Sequence, residues 1–265
     1  MTDAQTYIMD HPQEGQRLFA KVDAEAWISK FLAPHLPGVT SLLSVGCGPG
    51  VFLREVASAH PEIEVAGVDL SRSRIQDAEQ RLRGLPNAKV FTGDAHALPF
   101  EQNKFDLVFC RFLLEYLPDK QRAVEEMKKV CSRGGKILLQ DLDGQLMWHY
   151  PEDSELQRAT EDVLTYLASS GFDPFVGRKL FSLCLESGLD NIRVQVEPYH
   201  LYAGSIGDQE FSQWQSKLDI ARPQLSAALG SEEAALKYAG RFLEYLRSPG
   251  TLTYSCLFTV TATKA

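Results

Sequence analysis

Two short stretches constrain what this chain can fold into. The apolar run Leu43-Ser44-Val45 ends in Gly46-Cys47-Gly48-Pro49-Gly50, and a second run, Val65-Ala66-Gly67-Val68, ends in Asp69. A strand-like run that feeds Gly-x-Gly-x-Gly ahead of a helix-like segment lets the backbone turn sharply, so that a ligand can approach closely at a helix N-terminus. A carboxylate about twenty residues on, at the carboxyl end of the neighbouring strand, is placed to accept hydrogen bonds from both hydroxyls of an adenosine ribose. A dinucleotide fold wants a further glycine two residues past Pro49, so that the helix packs close to the strand beneath a pyrophosphate. That position is Val51, which weakens the pyrophosphate reading.

Strand and helix patterns alternate through the first half of the chain, which argues for a parallel sheet with helices on both faces. Strands are predicted at about 41–46, 63–69, 88–92, 105–110 and 135–141, and helices at about 50–59, 72–83 and 119–131. A sixth strand is expected near 191–198. The last, at 252–263, alternates Leu257, Thr259 and Thr261 with Phe258 and Val260, as the antiparallel end of such a sheet would. The expected organisation is a helical cover over 1–36, a core over 37–144, an insertion over 145–189, strand six over 190–199, a helical lid over 200–250 and a terminal strand over 251–265.

Several strings then fall in a recognisable order. Val45-Gly46-Cys47-Gly48-Pro49-Gly50 resembles motif I of the class I S-adenosylmethionine-dependent methyltransferases, and Asp69, followed by Leu70, matches their ribose-binding acidic residue. Gly93-Asp94-Ala95 resembles the family's adenine-contacting turn, and Phe105-Asp106-Leu107-Val108-Phe109-Cys110 its fourth strand. Arg111-Phe112-Leu113-Leu114-Glu115-Tyr116-Leu117 resembles the segment that closes over the methionine part, and Gly134-Gly135-Lys136 the entry to strand five. The likeness covers roughly 40–143, and more loosely the stretch from Gly177 to Leu189. It implies an α/β fold: a seven-stranded, mostly parallel Rossmann-like sheet with helices on both faces. It also implies S-adenosylmethionine as cofactor, bound by Gly46, Cys47, Gly48, Gly50, Asp69, Leu70, Asp94, Ala95, Arg111 and Phe112. Cys47 itself reads as a small residue packed in a tight turn, without thiol chemistry.

The segment after strand four narrows the acceptor. Family branches that methylate adenine amines or glutamine side chains carry an Asn/Asp-Pro-Pro-Tyr/Phe turn there, and this chain has Cys110-Arg111-Phe112-Leu113. Cytosine C5 enzymes need a Pro-Cys nucleophile, and Cys110 follows Phe109. The pattern most resembles quinone-biosynthetic and natural-product methyltransferases, so a small organic acceptor is expected. Oxygen, nitrogen and carbon acceptors stay undivided. Two other uses of the fold stay open: a cyclisation or rearrangement that uses the sulfonium as a fixed charge, and a non-catalytic partner subunit.

Composition sets outer bounds. The net charge of −8 and the absence of a basic tract argue against a nucleic-acid partner. The five cysteines, without CxxC spacing, imply neither a disulfide framework nor a zinc site, and suit a cytoplasmic protein. No run reaches the length of a membrane span. Homo-oligomerisation stays open. Asp141 and Asp143 without a third defined oxygen ligand make a poor magnesium site, and capping or loop hydrogen bonding is favoured.

The acceptor is expected under the aromatic-rich segments outside the core, with Glu115, Trp148, Tyr150 and Trp214 as candidate contacts. Tyr7 and Glu14-Gly15-Gln16-Arg17-Leu18 resemble a lead-in helix folded over the cofactor. Where the acceptor carries a proton, His149 is the candidate base, followed by His11, His200, Glu115 and Tyr150; a histidine there can equally serve local hydrogen bonding.

Overall fold

The computed structural model describes residues 23–265. The expected N-terminal features at Tyr7, His11 and Glu14–Leu18 lie outside that range. Five strands run parallel: β1 (Ser41–Val45), β2 (Glu64–Asp69), β3 (Ala88–Thr92), β4 (Phe105–Arg111) and the start of β5 (Cys131–Tyr150). With β6 (Asp190–Ala203) and β7 (Leu252–Thr263) they form one seven-stranded sheet in the order β3-β2-β1-β4-β5-β7-β6. β7 is antiparallel to both β5 and β6. Chain order reverses at β1, with β2 on one side and β4 on the other, and open α/β sheets bind ligands beyond the carboxyl ends of the strands at such a point.

Both faces of the centre of the sheet are buried, which is why the central strands read as near-continuous apolar runs. On one face Leu43, Val45, Val108 and Cys110 pack against α4 (Lys120–Val130) and α6 (Leu180–Glu186). On the other, Leu42, Leu107 and Phe109 pack against α2 (Val51–Ala59) and the entry segment. That segment runs as α1 (Ala24–Trp27), a π-helical turn (Ile28–Leu32) and a 3₁₀ turn (Ala33–His35); Asp23 caps α1, and Trp27, Phe31 and Leu32 are buried. α3 (Arg72–Arg81) follows Asp69, with Ser71 as its N-cap.

The largest departure from the sequence reading is at the far edge of the sheet. Strand five does not stop near 141, nor strand six near 198. After a register shift between Asp143 and Trp148, the residues Trp148, His149 and Tyr150 pair with Tyr254, Thr253 and Leu252. Tyr202 and Ala203 in turn pair with Thr253 and Leu252. The three strands therefore extend as a ribbon beyond the core. Asp141, Asp143 and Gly144 looked like a loop because two carboxylates and a glycine rarely sit inside a strand. Here Asp141 is satisfied by backbone amides, Asp143 by Arg178, and Gly144 takes φ 77° at the irregularity.

The ribbon carries a helical body. α5 (Ser154–Ala168), α7 (Asp208–Ile220), α8 (Arg222–Leu229) and α9 (Glu232–Arg247) share a cluster around Val163, Trp214, Tyr238 and Phe242. Asp153 ties it together, capping α5 through Glu155 N and Leu156 N while Nε of Arg241 donates to its carboxylate at 2.8 Å. Two segments treated apart in the sequence, 145–189 and 200–250, thus supply helices to one body, whereas α6 packs into the core through Leu180 and Cys184.

Candidate active site

The glycine turn sits where the strand order reverses. Gly46 N and Cys47 N both donate to Val68 O, at 2.8 and 3.0 Å, which fastens the end of β1 to β2. Gly48 has φ 52°, and a Cβ built on it would meet nothing within 4 Å, so the backbone there faces open space in a conformation that side chains disfavour. Gly50 has φ 75° as the N-cap of α2, and its Cβ would come within 3.0 Å of Ala78 Cβ on α3. The third glycine therefore permits the close approach of α3 to the turn. Gly67, which the sequence did not single out, supports the turn from below: a Cβ there would lie 2.8 Å from Cys47 Sγ and 2.4 Å from Leu53. Cys47 packs into that notch, and burial pushes its thiol well above the ordinary range.

Asp69 ends β2 beside this turn. Its Oδ2 accepts from Gly48 N at 2.8 Å and its Oδ1 from Ser71 N at 2.9 Å, so two backbone amides fix the carboxylate at the mouth of the turn. Leu70 next to it is 53% exposed, an apolar side chain left open at the ligand edge. Asp94 and Ala95 follow β3, and the Asp94 carboxylate is oriented by His96, whose backbone N donates to Oδ1 at 2.9 Å while Nδ1 lies 2.7 Å from the same oxygen. The structure thus brings Gly46, Cys47, Gly48, Gly50, Asp69, Leu70, Asp94 and Ala95 to adjoining strand ends of one sheet edge.

Arg111 and Phe112, at the end of β4, face a second group. Gln140 on β5 is fully buried and joins three elements: its Oε1 accepts from Trp27 Nε1 at 2.6 Å and from Arg111 Nε at 3.1 Å, and its Nε2 donates to Thr259 Oγ1 on β7 at 2.7 Å. The Arg111 guanidinium lies 3.9 Å from the Phe112 ring centroid and 5.4 Å from that of Phe52. Tyr199, from the β6 ribbon, packs edge-on against Phe112 at 5.6 Å and against His200 at 4.2 Å, and His200 lies 5.0 Å from Trp214. Phe112 and His200 take φ 52° and 49°, a region that bulky side chains rarely occupy and that clusters at functional sites when the surroundings enforce it. Two such residues on either side of Tyr199 mark this wall.

The remaining candidates are placed differently. Trp214 is buried and donates from Nε1 to Tyr202 Oη at 3.1 Å. Trp148, on the opposite face of the ribbon from His149, packs with Phe175 and Tyr254, and Tyr150 is 72% exposed. His149 packs edge-on against Phe242 and Tyr245 and its Nδ1 lies 2.9 Å from Thr253 Oγ1. By register it pairs with Thr253 while Gln140 pairs with Thr259, which puts it about 20 Å along the sheet from Gln140. Glu115 is buried in the 3₁₀ turn after β4, where its backbone N donates to Asp141 Oδ2 at 3.2 Å. Among the described residues no group of three or more His, Cys, Asp or Glu could hold a metal ion, and no helix is long and apolar enough to cross a membrane.

The missed residues had a partial signal. Gln140 directly follows the apolar run Ile137-Leu138-Leu139, where a buried uncharged amide is retained only if it is hydrogen-bonded. Tyr199 belongs to the aromatic-rich segments outside the core, whereas Trp27 and Phe52 carried no local signal, because distant parts of the chain bring them to Arg111.

Asp141 yields a pH prediction. Burial raises its carboxyl to about 7, against backbone N–H groups of Leu142, Glu115, Leu114 and Leu113 that favour the ionised form. The native state then holds a proton that the unfolded chain releases near 3.8, so between those values folding binds the proton and stability falls as pH rises, with no further change above about 7. Asp141→Asn should remove that slope. Urea unfolding at about pH 5 and 7.5 should show a decline in the wild type that the variant lacks; parallel behaviour of the two would contradict it.

Comparison with known proteins agrees with this geometry. Residues 42–135 match the methyltransferase domain family. An uncharacterized 37.1 kDa protein in a transposon of Streptomyces fradiae is 34% identical over 56% of this chain and 43% of its own length. A demethylmenaquinone methyltransferase of Staphylococcus aureus is 36% identical over 37% of this chain and 42% of its own. The chain thus spans less than half the length of these curated relatives. Among solved structures, that of a putative methyltransferase from Bacillus halodurans superimposes with a TM-score of 0.60 at 18% identity, covering 92% of this chain and 99% of that one. The matched residues span the turn, Asp69, Asp94 and the end of β4, so that over 42–135 the chain carries a methyltransferase domain.

Proposed function

We propose that this protein transfers a methyl group from S-adenosylmethionine to a small organic acceptor held between the end of β4 and the aromatic wall of the ribbon. When bound, the cofactor supplies a methyl group already activated as an electrophile by its sulfonium. The protein then has to bind, orient and exclude water, and orientation alone is worth roughly 7–11 kcal/mol in favourable cases. Asp69 and the glycine turn hold the adenosine. Asp94, oriented by His96, faces the adenine, and the wall of Phe112, Tyr199 and His200 holds the acceptor. The observation that carries this reading is the pair of left-handed residues, Phe112 and His200, flanking Tyr199 beside the cofactor turn.

On this reading a proton-bearing acceptor gives its proton near Tyr199 and His200, and His149 serves packing. His149→Ala should therefore lower the melting temperature and leave the pH profile of turnover unchanged. Loss of an acidic limb near the imidazole pKa in that variant would return the base role to His149.

The test of function is incubation with methyl-labelled S-adenosylmethionine and a panel of small aromatic and aliphatic acids, phenols and amines. Label in a product supports the reading. An altered acceptor with the label retained on the cofactor points to a rearrangement. A chain that binds no cofactor points to a non-catalytic partner.

A further inference from the structure

We propose that the acceptor is a planar anion, its charged group held by Arg111 and its flat body lying against the half-buried rings of Phe112, Phe52 and Tyr199. This rests on the methyl-transfer reading and deepens it. The Arg111 guanidinium is surrounded by π faces, at 3.9 Å from Phe112, 5.4 Å from Phe52 and 5.9 Å from Trp27. Its hydrogen bonds go to neutral groups, Gln140 Oε1 and the Tyr199 hydroxyl. Among the described residues no carboxylate forms an ion pair with it; Asp141 and Glu115 act on it only through space. Arg178 and Arg241, by contrast, are clamped on Asp143 and Asp153 at 2.6 and 2.8 Å.

A half-buried cation with no ion pair among the described residues is costly, and burial already lowers the pKa of this guanidinium. A guanidinium has five N–H donors in a fixed fork that matches a carboxylate or a comparable delocalised anion, more than Gln140 and Tyr199 can accept. An anionic ligand would supply the missing charge. The surrounding rings add the second requirement, because flat conjugated bodies stack on aromatic faces whereas aliphatic ones gain only area. The cofactor's own amino-acid end also carries a carboxylate. The rings around Arg111 favour the acceptor: Phe52 comes from α2 and Tyr199 from the ribbon, and a methionyl chain has no flat surface to lay on them.

The test titrates the full chain by calorimetry with 2-naphthoate, its neutral counterpart 2-naphthamide and the non-planar cyclohexanecarboxylate, with and without S-adenosylhomocysteine. The expected result is 2-naphthoate binding about tenfold or more tighter than either of the others. Arg111→Gln should abolish the preference over the amide, and Arg111→Lys should keep part of it. Equal binding of naphthoate and naphthamide to the wild type would overturn the proposal, and this arm needs no variant to fold. So would a preference that survives Arg111→Gln. If Arg111→Gln instead weakens S-adenosylhomocysteine about tenfold while the wild type shows no naphthoate preference, the anion is the cofactor's carboxylate and the proposal fails. Failure of the wild type to bind S-adenosylhomocysteine would count against the methyl-transfer reading alone, since the naphthoate titration is read equally without it.

Discussion

Asp69→Ala is expected to weaken S-adenosylmethionine binding by about 10² to 10⁴. The carboxylate is held by Gly48 N and Ser71 N at the mouth of the glycine turn, where the proposed function places two ribose hydroxyls. Charge-assisted bonds contribute roughly 1.5–3 kcal/mol each, so losing two costs about 3–6 kcal/mol of binding. Gly48 N also loses its acceptor, which loosens the turn itself. Folding should change little, because Asp69 ends a strand at the ligand edge. Calorimetry on wild type and variant decides: a loss under about tenfold, or tight binding of NAD by the wild type, would contradict the assignment.

Gln140→Ala is expected to have the largest effect on stability. The side chain is fully buried, and its loss leaves Trp27 Nε1 and Arg111 Nε without their acceptor and Thr259 Oγ1 without its donor. Buried groups left unpaired cost about 1–3 kcal/mol each, more for a charged one, and the deleted volume adds to this. Because the three bonds share one network they do not simply add, and a loss of about 3 kcal/mol or more is expected, roughly 6–12 °C in Tm. Gln140→Glu keeps an acceptor for Trp27 and Arg111 and should cost less. A Gln140→Ala protein within about 1 kcal/mol of wild type in urea unfolding would refute the role given to this residue.

The glycine turn with Asp69 was legible in the sequence because each part of it is local. A strand, a glycine turn and a terminal carboxylate announce themselves within a few residues, as Gly48 and Asp69 do, and strand order then brings them together. The surroundings of Arg111 are not local. Arg111 meets Trp27 from the entry helix and Phe52 from α2, and it meets Tyr199 because β6 extends past the core with β5 and β7, an extension that Asp141, Asp143 and Gly144 disguise as a loop. His149, read as lying just past strand five, is carried along the ribbon to α9 for the same reason. Trp148 and Tyr150 follow it, one to the opposite face and one to solvent.

The central claim is that one site has two sides, the cofactor on the glycine turn and the acceptor on the aromatic wall. A crystal structure of the full chain with S-adenosylhomocysteine tests it most directly. The account predicts both ribose hydroxyls within hydrogen-bond distance of Asp69, the adenine at Asp94 and Ala95, and the sulfur facing the space between Phe112 and Tyr199. A ribose away from Asp69, or a sulfur turned from that wall, would contradict it.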